Sequence, residues 1–195
     1  MKSMWIELGL ACTVATFAVG SAAHAELLPI RANAFAGAGY NNESTSGNIS
    51  GGGISLSASG SSANAGLELG GDVGLPLGDF ISIVALAEYQ PIFSSPSTSL
   101  VTVGGGVRLG IPFIQLLLGA GYSSFHQGGS SVTTPFGTAS GGGSSTGGYT
   151  LKAFAFLPVI LGVGPYASAG YSTFSPASGF SSHVLSLNGG LSFSY

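Results

Sequence analysis

The feature that most limits what this chain can fold into is a two-residue periodicity that sorts its charges onto one face. Side chains of an extended strand point alternately to opposite sides. Over residues 63–75 one face reads Ala63, Ala65, Leu67, Leu69, Gly71, Val73, Leu75, and the other reads Asn64, Gly66, Glu68, Gly70, Asp72, Gly74. Over 101–111, Val101, Val103, Val107, Leu109 and Ile111 share a face, opposite Thr102, three glycines and Arg108. Over 185–195, Leu185, Leu187, Leu191, Phe193 and Tyr195 lie opposite Ser186, Asn188, Gly190, Ser192 and Ser194.

Five further segments carry the same pattern less cleanly. Residues 30–40 put Ile30, four alanines and Tyr40 outward, with Arg31, Asn33 and Phe35 inward. Residues 81–89 put Glu88 inward, but Val84 and Leu86 with it. Residues 113–124 are apolar on both faces near their start. Residues 148–157 place Lys152, Phe154 and Phe156 opposite Tyr149, Leu151, Ala153 and Leu157. Residues 159–171 put Val159, Leu161, Val163 and Tyr171 outward. The expectation is eight strands. In all of them the charges Arg31, Glu68, Asp72, Glu88, Arg108 and Lys152 fall opposite the apolar face, as a lumen polar network of three cations and three anions. A soluble sandwich with one wet face alternates in a similar way. Against it, the faces opposite the charges are purely apolar.

Charged residues are only 6% of the chain, against roughly 25% in soluble domains. Beyond the N-terminus no apolar run is long enough for a membrane helix, which needs about 20 residues. That leaves a secreted Gly/Ser-rich β protein or a membrane barrel. The connections favour the barrel. Tight junctions at 76–79, Pro112 and Pro158 alternate with longer Ser/Gly-rich segments at 41–60, 90–98, 123–147 and 172–181. Bacterial barrels have short turns on one side and long loops on the other. Tyr40, Tyr89, Tyr122, Tyr149 and Tyr171 all fall at long-loop ends on the outward face, as an aromatic girdle at lipid headgroups would. Phe193 and Tyr195 would mark the opposite rim. The fold class expected is all-β, an eight-stranded antiparallel up-and-down transmembrane barrel over 26–195.

The first 25 residues read as a cleavable export signal. Lys2 precedes an apolar stretch over 8–19, and Ala23-His24-Ala25 fits a small-x-small cleavage site. Cleavage would leave Glu26 first and remove the sole cysteine, Cys12, so neither a disulfide framework nor a cysteine metal site is expected. What remains has three bases against six acids, which excludes a nucleic-acid footprint.

The C-terminal residues resemble the assembly signal of outer-membrane barrels. Asn188 and Gly190 occupy its polar and glycine places, and Phe193 and Tyr195 its two aromatic places, with Tyr where Phe is commoner. The mature chain resembles small eight-stranded barrels of the OmpA transmembrane-domain and OmpX type. The resemblance implies the outer membrane of a Gram-negative bacterium, contact with outer-membrane lipid and lipopolysaccharide, and help from the barrel-assembly machinery and periplasmic chaperones.

The expected role is structural or surface-interacting, carried by the long Ser/Gly loops, with the surface ligand unnamed. A small diffusion pore is the alternative. Inner-face glycines at 66, 70, 104, 106, 110, 162 and 164 could leave a channel open, or Phe35, Phe113, Phe154, Phe156 and Tyr166 could fill it. A lipid A-modifying enzyme needs a base and a nucleophile at the outer rim. The His-x-Ser spacing of the lipid A deacylases is missing at both His126 and His183. Neither catalysis nor a cofactor is expected, nor a metal, since scattered acids and two histidines form no ligand cluster.

Overall fold

The computed structural model describes residues 30–51, 54–134, 137–157, 162–175 and 180–195. The export segment with Ala23 and Ala25, and also Val159 and Leu161, lie outside them. The described strands are β1 (Arg31–Gly51), β2 (Ile54–Pro76), β3 (Ile81–Ile92), β4 (Thr98–Ile111), β5 (Ile114–Gln127), β6 (Ser130–Thr134), β7 (Gly137–Gly141), β8 (Ser144–Phe156), β9 (Val163–Phe174) and β10 (Phe180–Ser194). Eight of them close an antiparallel barrel in the order β1-β10-β9-β8-β5-β4-β3-β2, and β6 and β7 pair as a separate hairpin. Closure matters because an open sheet edge in hydrocarbon would leave its backbone N–H and C=O groups unpaired.

Register determines what meets what across the lumen. The pairing partners run from Arg31 to Gly74, Val84, Gly106, Gly119, Lys152, Gly170 and Ser186, and return to β1 at Asn41. One circuit therefore climbs ten residues, from position 31 to position 41. That stagger is the shear of a tilted barrel. It carries inward side chains that are distant in sequence to a common level.

The alternation is realised as two environments. Leu67, Leu69, Val73, Val103, Val107, Leu118, Leu151, Leu187 and Leu191 face outward and are exposed. They form an apolar belt of the kind that only lipid can cover. Tyr40, Tyr122, Tyr149 and Tyr171 are exposed on the same face, and Tyr89 is half-exposed. Tyr122 and Tyr149 sit opposite each other on β5 and β8, edge to face at 6.2 Å. Phe80, Phe113, Phe193 and Tyr195 are exposed at the short-turn end.

Several expectations need correction. Segments 41–60 and 123–147 are not loops. β1 and β2 stay paired without a break from Arg31↔Gly74 to Gly51↔Ile54. Most of the second segment is the end of β5, the β6–β7 hairpin and the start of β8. Alternation records a contrast between two environments, and above the membrane both faces are wet. The contrast vanishes there, while the backbone still needs hydrogen-bond partners. The long segment expected at 90–98 is a short link, since β3 ends at Ile92 and β4 begins at Thr98.

The other two corrections concern single residues. Phe113 does not fill the lumen. It follows Pro112 in the two-residue link between β4 and β5 and has φ 75°. A type II turn requires that φ after its proline, and Gly is the usual occupant. A bulky residue there costs about 1–2 kcal/mol. The ring is 89% exposed at the short-turn rim, a position where aromatics are enriched in membrane proteins. Gly162 likewise sits in a turn at φ 78°, off the inner face assigned to it.

Candidate functional site

The lumen is built from three layers. At the short-turn end lies an apolar plug of Phe35, Val84, Leu86, Leu117, Phe154, Phe156 and Tyr166, all nearly fully buried. Its rings touch, with centroids 5.1 Å apart for Phe35–Phe154, 5.3 Å for Phe35–Tyr166 and 5.6 Å for the stacked Phe154–Phe156 pair. Glycines on neighbouring strands make the room. A Cβ on Gly70 would meet the Phe35 ring at 2.6 Å. Small residues opposite large ones are the usual way a narrow barrel fills its taper.

A polar layer is laced into this plug. Lys152 Nζ donates to Glu68 Oε1 at 2.5 Å and also bonds Glu88 Oε1. Glu68 accepts further bonds from Tyr166 Oη at 2.8 Å, from Ser168 Oγ at 2.9 Å and from Asn188 Nδ2 at 3.2 Å. Gln90 Nε2 extends the chain to Asn188 Oδ1 at 3.2 Å. Arg108 pairs with Asp72 and lies 5.9 Å from the centre of the Phe156 ring. Lys152 lies 5.4 Å from that of Phe154. All three ion pairs are almost wholly withdrawn from solvent, so each charge depends on its partner. Oriented with its oxygen toward Arg108, the Asn33 amide accepts from that guanidinium at 2.8 Å.

Hydroxyls and a second apolar cluster complete the filling. Thr102, Ser123, Thr150 and Ser172 form a continuous row across β4, β5, β8 and β9, with 2.8 Å between the first two and 2.6 Å between the last two. Toward the outer end Leu100, Phe174 and Val184 are buried, with Phe125 packed against Phe174 at 5.5 Å.

Five of the six charges assigned to the lumen network are therefore inside: Glu68, Asp72, Glu88, Arg108 and Lys152. Arg31 is a correction. It stands at the exposed start of β1 and makes no ion pair among the described residues. Its face is inward, but the barrel is too short there to cover it. Gln90, the hydroxyl row and the upper cluster were not anticipated. Gln90, Leu100, Phe125, Ser172, Phe174 and Val184 lie beyond the strand bounds expected from alternation, and the level at which the hydroxyls meet depends on the shear.

The outer rim is nearly uncharged. The segments at 41–67, 90–107, 123–151 and 172–195 contain a single charged residue, Glu43, which is half-buried and accepts from Thr98 Oγ1 at 3.4 Å. His126 Nε2 is 3.1 Å from Ser124 Oγ, which is 3.2 Å from Ser145 Oγ. Tyr171 Oη is 2.8 Å from His183 Nδ1, with the two rings stacked.

The residues matched to the assembly signal divide between the two faces. Asn188 is a lumen hydrogen-bonding residue, and Gly190 packs against the Ala36–Gly37 backbone. Phe193 and Tyr195 point outward at 52% and 83% exposure. Tyr195→Asp is expected to leave the chain in the periplasm, degraded or aggregated, as read by membrane fractionation. Normal outer-membrane levels of that variant would count against the assembly reading.

No protein-family model matches the sequence, and no curated protein matches it. Among solved structures the chain is similar to Ail, the attachment invasion locus protein of Yersinia pestis, with TM-score 0.47 and 12% identity over 83% of this chain and 98% of that one. It is also similar to the N-terminal β-barrel domain of Pseudomonas aeruginosa OprF, with TM-score 0.41 and 11% identity over 82% and 99%. The outer membrane protein OprG of the same organism gives TM-score 0.42 and 8% identity over 84% and 95%. The fold itself, a closed eight-stranded antiparallel barrel, is shown by the strand pairing of this chain. Identities this low describe architecture and nothing finer.

Proposed function

We propose that this barrel is a sealed surface-interaction protein of the Gram-negative outer membrane, in contact with lipid and lipopolysaccharide and acting through its outer hairpins. The observation that carries this reading is the filled lumen. Apolar clusters stand toward both ends, and the charges between them are paired with one another. Eight strands leave an interior just wide enough for side chains, and here glycines and aromatics use that width. The outer hairpins extend past the tyrosine girdle on a rigid base, where loops and hairpins commonly carry function.

A non-enzymatic role is part of the proposal. The Ser124–His126 contact supplies a hydroxyl beside an imidazole, but no carboxylate bonds His126 among the described residues. A base left unoriented in this way is a poor activator of serine.

The test is electrical. Refolded protein in planar bilayers is expected to give no steady unitary conductance. A steady conductance that changes with Glu88→Gln or Arg108→Leu would put the diffusion pore first.

A further inference from the structure

We propose that the outer edge of β2, over residues 54–64, pairs with the same edge of a second copy of this chain held in a facing membrane. This rests on the surface-interaction reading above and names its partner. On one side, β2 is paired with β1 along its whole length, up to Gly51↔Ile54. On the other side, its pairing with β3 stops at Gly66↔Ile92. One further bond, from Phe93 N–H to Ala65 C=O at 2.8 Å, closes that seam. Beyond it, among the described residues, nothing pairs with the β2 edge.

The same bond gives the edge its polarity. Within a strand, a residue's N–H and C=O point to the same side, and successive residues alternate. Ala65 faces the β3 side, so Ser55, Ser57, Ser59, Ser61 and Ala63 present their N–H and C=O groups at the free edge. The even residues point toward β1. Natural edge strands are blunted by lysine, proline or bulges. Residues 54–64 contain no proline or charge, and their pairing with β1 has no bulge. Ser57 and residues 59–63 are exposed.

Charge and geometry select the occupant. No ionisable carboxylate or cation lies between Ser44 and Leu67. The edge thus meets its own copy without repulsion and offers no countercharge to a charged partner. Two copies in one membrane point β2 the same way, which gives parallel strands. A copy in a facing membrane is inverted, and its β2 runs antiparallel, the more stable pairing. Centred on Ser59, that pairing sets Ser57 opposite Ser61. The Ser/Gly/Ala composition also tolerates neighbouring registers. A single contact of this size is weak, and many barrels per membrane would add through avidity.

The test uses full-length protein reconstituted in two phosphatidylcholine vesicle populations, one carrying a donor fluorophore and one an acceptor. Energy transfer between vesicles is expected when both populations carry wild-type protein. Ser59→Pro and Ser61→Pro remove edge N–H groups that point away from β1, so heat-modifiable folding should persist while tethering falls by about tenfold or more. Ser59→Lys, which keeps the backbone, should do the same, because Ser59 faces its own copy at the centre of the seam and the two like charges would meet there. Dispersed wild-type vesicles, unchanged tethering by folded variants, or tethering to protein-free vesicles would each overturn the inference. Conductance of the same vesicles separates the two readings: sealed vesicles that do not tether sink this inference alone, whereas conducting vesicles sink the surface-interaction reading.

Discussion

Lys152→Met is expected to destabilise the refolded barrel by about 3–5 kcal/mol, the cost of leaving buried charge unpaired. Lys152 Nζ is bonded to both Glu68 and Glu88, and all three side chains are at most 1% exposed. Methionine keeps most of the volume and removes the cation. Two anions would then face each other in a lumen lined by Phe154 and its neighbours. Glu68 retains bonds from Tyr166, Ser168 and Asn188, but Glu88 loses its ammonium partner. The triple variant Lys152→Met, Glu68→Gln, Glu88→Gln should recover much of the loss, because replacing all members of a buried ionic group is far less harmful than removing one. Urea titration from lipid vesicles measures both. A silent Lys152→Met would show that this network does not form.

Leu118→Arg is expected to cost about 2–4 kcal/mol, and the cost should depend on depth. Leu118 faces outward at 61% exposure. It pairs with Val107 and Ala153, midway between Ile114 at the short-turn end and Tyr122 in the girdle. An arginine there must enter hydrocarbon or drag water to it. Leu109→Arg is the control. Leu109 shares the face, but it lies two residues before Ile111, where β4 ends, so its arginine can reach the headgroups. Its cost should fall to about 0–1 kcal/mol. Equal effects at the two sites in the same titration would rule out the proposed position of the belt.

The inward or outward direction of the strand residues was legible in the sequence, because the membrane supplies the contrast that alternation records. Glu68, Asp72, Glu88, Arg108 and Lys152 could be placed inside, and Leu69, Val107 and Leu187 outside, from period alone. Val84 and Leu86 broke the pattern for a reason visible only in the fold, since they belong to the apolar plug around Phe35. Which charges meet was decided by tertiary structure. Lys152 and Glu68 are 84 residues apart, and the ten-residue stagger of the closed barrel brings them level. Closure also left Arg31 at the rim, although its face is inward. Above the girdle the sequence signal fades, because water bathes both faces and apolar alternation has nothing to report. There the backbone decides: β1 and β2 continue as a paired hairpin because their N–H and C=O groups need partners, whatever side chains they carry.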